Sequence, residues 1–224
     1  MLSTVLDILS GAAQEHEVLG DIPIQLLLAA SKGGRMEVLP RLITTMADKN
    51  APAFQHAVEN GQLSIVEYLV NLQVHINVAP RANGYTSLQA ASLKGYLEVV
   101  KLLVAQRADI NAGPAKNHGL TALQAASLGG HLKIVKLLLD QKADINARPA
   151  ITRGLTALQA ASQEGHLEIV KYLVAGKADV DYRDLSEGKT ALEYAREGGH
   201  LQIVGLLHNE SAMAKYELYL AGAD

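Results

Sequence analysis

Residues 121–127 read TALQAAS, residues 156–162 read TALQAAS again, and residues 86–92 read TSLQAAS. Read outward, the echo becomes a long internal repeat. Thr86, Thr121, Thr156 and Thr190 open successive copies at intervals of 35, 35 and 34 residues. Each copy runs on through a glycine (Gly95, Gly130, Gly165, Gly199), a leucine, an Ile/Val-Val pair and a leucine-rich close, and three of them end in ADIN or ADVD. Two weaker copies come first, QLLLAASKGGRMEVLPRLI at 25–43 and PAFQHAVENGQLSIVEYLV at 52–70, so six units span about 21–209.

Each unit predicts two short helices. Thr121 followed by Gln124 is a capping box, in which the threonine hydroxyl accepts from the third helical amide and the glutamine reaches back to the cap. Thr86 with Gln89, Thr156 with Gln159 and Thr190 with Glu193 repeat it. Gly130 and its equivalents stand where a left-handed residue closes that helix. A second helix then runs over about 132–139, with Ile134, Val135, Leu137 and Leu138 forming a broad apolar face. One such pair cannot bury both its faces. Stacking completes each core with the next copy, so the repetition is a folding requirement.

Composition agrees and narrows the function classes. The chain has 224 residues, only 4% aromatic, so its core must be packing of small and aliphatic side chains between close helices. A formal net charge of −3 gives no bulk electrostatic reason to expect nucleic acid or an anionic membrane as partner. With no cysteine there is no disulfide framework, thiolate metal site or cysteine nucleophile. No apolar run approaches the roughly 18 residues of a membrane span, and MLSTVLDILSGAAQEHEV lacks the basic start of a signal peptide. The expected location is therefore cytoplasmic, with the nucleus also open.

TALQAA, GHLEIV and ADIN in register resemble the ankyrin repeat, whose corresponding first motif is T-P-L-H-x-A. That resemblance implies an all-α solenoid of about six helix-turn-helix units with hairpin-like fingers. The units fall at about 21–50, 51–84, 85–119, 120–154, 155–188 and 189–209, between a capping segment at 1–20 and a capping helix at 210–224. The period exceeds the family's value of about 33. The extra residues fall in AGPAKNHGL (112–120) and ARPAITRGL (147–155), where the family has its finger, so long fingers are expected. Such ADIN-x-P fingers are similar to those of fungal-type arrays in multidomain sensors, which leaves open that the chain is part of a larger protein.

Several positions depart from the family pattern. Arg107, Lys142 and Lys177 stand where a glycine commonly ends the second helix, so either that turn differs or a strain of roughly 1 kcal/mol is tolerated. Pro52 replaces a capping threonine, His75 replaces the turn aspartate, and Pro40 falls within a second helix, so the early units should be less regular.

Three features bear on function. His131, His166 and His200 recur in register, which suggests a metal column, but each follows the inter-helix glycine, where the resemblance implies a structural hydrogen bond. No metal site, cofactor or catalytic residue is assigned. Second, the finger cations Arg81, Lys116, His118, Arg148, Arg153 and Arg183 would line one edge of the stack. They suit an acidic protein segment or a small anionic ligand. Third, the resemblance places Tyr85, Leu93, Leu120, Leu128, Leu155 and Gln163 on the concave groove, with an apolar middle that fits a binding surface.

The expected function is a protein-binding scaffold or adaptor whose partner is apolar along its centre and acidic on one side. The rival class is a small stand-alone enzyme or small-molecule binder with a pocket between the fingers and the inner helices. Tyr85, His118, Arg153 and Asp184 could supply acid/base groups for it, but no G-x-S-x-G, H-E-x-x-H or glycine-rich phosphate loop selects them.

Overall fold

A computed structural model describes residues 50–77, 84–115, 119–152 and 154–221, with side chains from 54 to 212 within them. The expected N-terminal cap, the first repeat apart from Asn50, and Pro40 lie outside the described residues, as do the finger residues Arg81, Lys116, His118 and Arg153. The described residues form ten α-helices and no β-strand, in two compact units, one ending at Ile76 and the other beginning at Asn77.

In the first unit, α1 (Asn50–Glu59) packs on α2 (Leu63–Asn71). Phe54, Ala57 and Val58 meet Ile65, Val66 and Leu69 as the buried set. Helix α1 already includes Asn50, two residues before Pro52, whereas its counterparts begin one residue after their threonines.

The second unit holds four helix pairs: α3 (Ser87–Lys94) with α4 (Leu97–Ala105), α5 (Ala122–Leu128) with α6 (Leu132–Asp140), α7 (Ala157–Gln163) with α8 (Leu167–Ala175), and α9 (Ala191–Glu197) with α10 (Leu201–Ala221). The four capping boxes are formed in full, each threonine side chain accepting from the N3 amide while the N3 side chain accepts from the cap amide. Gly95, Gly130, Gly165 and Gly199 take the left-handed conformation with φ of +78°, +75°, +78° and +73°. These local choices set the packing. Alanines at the middle of each first helix let α3, α5, α7 and α9 lie closely side by side, and this is the tighter of the two helix layers.

Leu123, Ile134, Val135 and Leu138, each 2% exposed or less, show how one pair fills the space between its neighbours. Burying such a side chain contributes about 2 kcal/mol. The C-terminal cap expected at 210–224 is not a separate helix, because α10 runs unbroken from Leu201 to Ala221. The other second helices of this unit have nine residues and end at a turn, whereas LLHNESAMAKYELYL offers neither glycine nor ADIN to stop the helix.

Candidate functional site

Three kinds of side chain hold the second unit together: a glutamine that ties each first helix to its own finger, and an asparagine and a histidine that tie each repeat to its neighbour. The first is the capping-box glutamine. Its Oε1 caps its own helix, while Nε2 reaches forward: Gln89 donates to Ala112 O and Gly113 O at 3.0 and 3.1 Å, Gln124 to Ala147 O at 2.9 Å, and Gln159 to Tyr182 O and Lys189 O at 3.1 and 2.9 Å. Each acceptor belongs to the finger that follows that glutamine's own helix pair. An amide suits this position because it accepts and donates at once.

The second is the asparagine that closes VHIN at 74–77 and ADIN at 108–111 and 143–146. Asn77, Asn111 and Asn146 accept at Oδ1 from the amides of Asp109, Asp144 and Asp179 at 2.9, 2.8 and 2.8 Å. Their Nδ2 groups donate to the carbonyls of Arg107, Lys142 and Lys177 at 3.1, 3.2 and 3.3 Å. Arg107, Lys142 and Lys177 are left-handed, with φ of +62°, +66° and +67°. So the turn does not differ, and the strain is carried, held by two hydrogen bonds from the preceding repeat.

The third is the histidine. The Nε2 atoms of His131, His166 and His200 lie 3.1, 3.1 and 3.0 Å from the carbonyls of Leu93, Leu128 and Gln163, one repeat back. A carbonyl only accepts, so Nε2 carries the proton. Each ring also covers the glycine of the repeat before it: a Cβ on Gly95, Gly130 or Gly165 would lie 2.4, 2.6 or 2.5 Å from the imidazole Cε1. Glycine is thus required twice, for its backbone angle and for the ring's approach. The histidines are structural, as the resemblance implied. Among the described residues there is no cluster of three or more His, Asp or Glu that could hold a metal ion.

The last repeat breaks this pattern in a way the sequence displays. Glu193 stands in the glutamine's place and cannot donate; it accepts from Thr190 N and the Thr190 hydroxyl at 2.7 and 2.9 Å and from Arg183 Nη1 at 3.2 Å. The Thr190 backbone bond, then its hydroxyl, and the Arg183 charge hold the Glu193 carboxyl below its usual range despite some desolvation. Asp181 stands in the asparagine's place and accepts from the Ser211 hydroxyl of α10 at 2.7 Å.

The finger over 182–189 is organised by Asp184, which is 3% exposed. Its Oδ1 accepts from the Ser186 amide, the Ser186 hydroxyl and the Glu187 amide at 2.8, 2.9 and 2.6 Å, and its Oδ2 from the Lys189 amide and the Tyr194 hydroxyl at 2.9 and 3.1 Å. Burial alone would push this carboxyl up. The Glu187 and Lys189 amides and the two Ser186 donors outweigh it and hold the pKa at about 2. Burial first, and then the bond to this carboxylate, push the Tyr194 hydroxyl to about 12. Lys189 is held above the usual lysine range by its contacts with Glu187 and Glu197. A hydrogen-bonded turn of this kind is stiff. Spacing gave no sign of it, because the partners come together only when the finger closes.

The groove residues are placed as follows. Tyr85, Leu93, Leu128, Leu155 and Gln163 are half-buried. Leu120 is 7% exposed and belongs to the interior, which corrects its expected place in an exposed strip. It lies between buried Gly119 and buried Thr121, and Gly119 folds so closely against Ala115 that an added Cβ would sit 2.1 Å from the Ala115 nitrogen. The chain is therefore drawn inward at that point. Of the finger cations, Arg148 and Arg183 are described and exposed. Arg183 donates to Gly188 O at 2.7 Å and pairs with Glu193, whereas Arg148 has no ion-pair partner among the described residues. Two residues not singled out from the sequence stand out instead: Ile151 and Leu185, on successive fingers, are 66% and 73% exposed.

Comparison with known families gives matches along most of the chain. Ankyrin repeats, as an array of three copies, match residues 26–114 and 148–217, and a single ankyrin repeat matches 118–149. No curated protein sequence matches the chain. No helix among the described residues is long and apolar enough to cross a membrane.

Proposed function

Because the chain belongs to the ankyrin repeat family, we propose that it is a protein-binding scaffold, taking a partner segment along the groove and the finger edge of its second unit. Ankyrin repeats are generally protein-interaction modules. The observation that carries the reading here is a division of labour. The glutamine side chains are committed to their own fingers and the asparagine and histidine side chains to neighbouring repeats, while Tyr85, Leu93, Leu128, Leu155 and Gln163 keep part of their surface and Arg148 has no ion-pair partner among the described residues. A frame held by these side-chain hydrogen bonds presents those side chains at little ordering cost. The partner this surface suits is apolar along its centre and acidic on one side.

The catalytic alternative draws less support. Of its acid/base set, Asp184 is held by five donors and kept ionised, so it has no proton to give and no free lone pair aimed at a substrate.

The test is capture from a native extract of the source cells on the immobilised full chain, with protein and small-molecule mass spectrometry side by side. A variant carrying Arg148→Glu, Arg153→Glu and Leu155→Lys serves as the comparison. A protein held by the natural chain and lost from the variant supports the scaffold. A small anion held in place of any protein would transfer the reading to the alternative.

A further inference from the structure

Four large apolar side chains are prominently exposed among the described residues: Leu72, Ile151, Leu185 and Leu201. Leu72 follows α2 and Leu201 opens α10, each on a helix end, whereas Ile151 and Leu185 occupy the tips of two successive fingers. Their supports are stiff. Below Ile151, Pro149 and Ala150 are buried, and Gly154 packs so closely that an added Cβ would sit 2.3 Å from the Ala150 nitrogen. Leu185 rides on the turn that the Asp184 carboxylate closes, which is braced again by Arg183 Nη1 on Gly188 O at 2.7 Å.

Large apolar side chains lose hydration favourably only if something covers them, and rigid presentation lowers the cost of covering them. The charge beside them is of one sign where it is free. Arg148 stands three residues before Ile151 and has no ion-pair partner among the described residues, while the charged groups next to Leu185 are matched, Arg183 with Glu193 of α9 and Lys189 with Glu187 of the same finger. A partner that meets these tips therefore gains from a carboxylate at the Arg148 end and from none at the Leu185 end.

We propose that the fingertips are a recognition surface in their own right, with Ile151 and Leu185 as two apolar anchors and Arg148 as the charge that orients the partner. The occupant is a protein segment with two large apolar residues and an Asp or Glu beside one of them. Neighbouring helix pairs pack at about 8–10 Å, a step that an extended segment covers in about three residues. A polyproline-II segment, with three residues per turn and a rise of about 3.1 Å, puts residues i and i+3 on one face about 9 Å apart, so the apolar residues of the occupant are spaced i, i+3 in that conformation. Asp184 is a positioning residue, since it touches only the turn that carries Leu185.

This inference rests on the protein-binding reading and is separable from its groove. A phage-displayed random peptide library is panned on the full chain, and the peptides that emerge are titrated against the natural protein, Ile151→Lys, Leu185→Lys, Arg148→Glu and the groove variant Leu155→Lys, each checked for a native melt. The expected peptides carry an acid and two large apolar residues, and lose about tenfold or more in affinity with each tip variant. Asp184→Asn weakens them as well, while Leu185→Met keeps most of the affinity that Leu185→Lys loses. Peptides that lose affinity only with Leu155→Lys overturn the fingertip surface and leave the groove standing. Failure to enrich any peptide, or peptides indifferent to every variant, overturns both.

Discussion

Asn111 holds Lys142 in a backbone conformation that lysine avoids. Its Nδ2 donates to the Lys142 carbonyl at 3.2 Å and its Oδ1 accepts from the Asp144 amide at 2.8 Å, with Lys142 at φ +66°. Asn111→Ala removes both bonds and should cost about 2 kcal/mol. Lys142→Gly should relieve about 1 kcal/mol of backbone strain. Urea unfolding of the two single variants and the double variant checks the link: Asn111→Ala should cost less in the Lys142→Gly background. Simple additivity would mean that the asparagine does not hold the strained turn.

Gly130 is a sharper case. A Cβ there would lie 2.6 Å from the His166 ring on a residue at φ +75°, whereas a Cβ on Gly113 would meet nothing within 4 Å. Gly130→Ala should therefore destabilise by about 2–3 kcal/mol, with Gly113→Ala near neutral. Chemical denaturation of both variants makes the comparison.

Ser92, Ser127 and Ser162, the serines of the TSLQAAS and TALQAAS copies, are 0% exposed, and their hydroxyl oxygens have no hydrogen-bond partner among the described residues. Removing an unsatisfied hydroxyl leaves a smaller apolar group in a tight site. Ser127→Ala should stabilise by about 1 kcal/mol, read as a higher urea midpoint at unchanged slope.

Much of this was legible in the sequence, for a physical reason. Capping boxes and left-handed glycines are decided within about five residues, so TALQAAS and the following glycine announce them. The stacking follows because an isolated pair cannot bury its leucines. What was not legible depends on contacts between residues far apart in the chain. Gln124 meets Ala147, 23 residues on, only when the finger closes over its own helix, and Asn111 meets Lys142, 31 residues on, only after stacking. Leu120 was placed on the groove by the family resemblance, yet it is 7% exposed and stands beside Gly119, which folds closely on Ala115. The exposure of Ile151 and Leu185 is likewise set by how each finger closes.

Asp184 makes the last repeat sensitive to acid. Its pKa is lowered from 3.8 to about 2, so the stabilisation from its ionised form is complete above the unfolded value and is lost as pH falls through the folded one. Acid titration followed by circular dichroism and by Tyr194-sensitive fluorescence should show a loss of stability over that window. Asp184→Asn should lower the starting stability and flatten that part of the profile.

The most direct test of the scaffold is the binding kinetics of the captured partner on a surface carrying the full chain. Charge reversal at Arg148 and Arg153 should mainly slow association and change its salt dependence, because exposed finger charges act before docking is complete. Lysine at Leu93 and Leu155 should instead raise the dissociation rate, because it spoils the desolvated centre where binding energy concentrates. Thermal melts on the same samples certify that the variants are folded. A folded Leu93→Lys/Leu155→Lys variant that releases the partner at the natural rate would contradict the account.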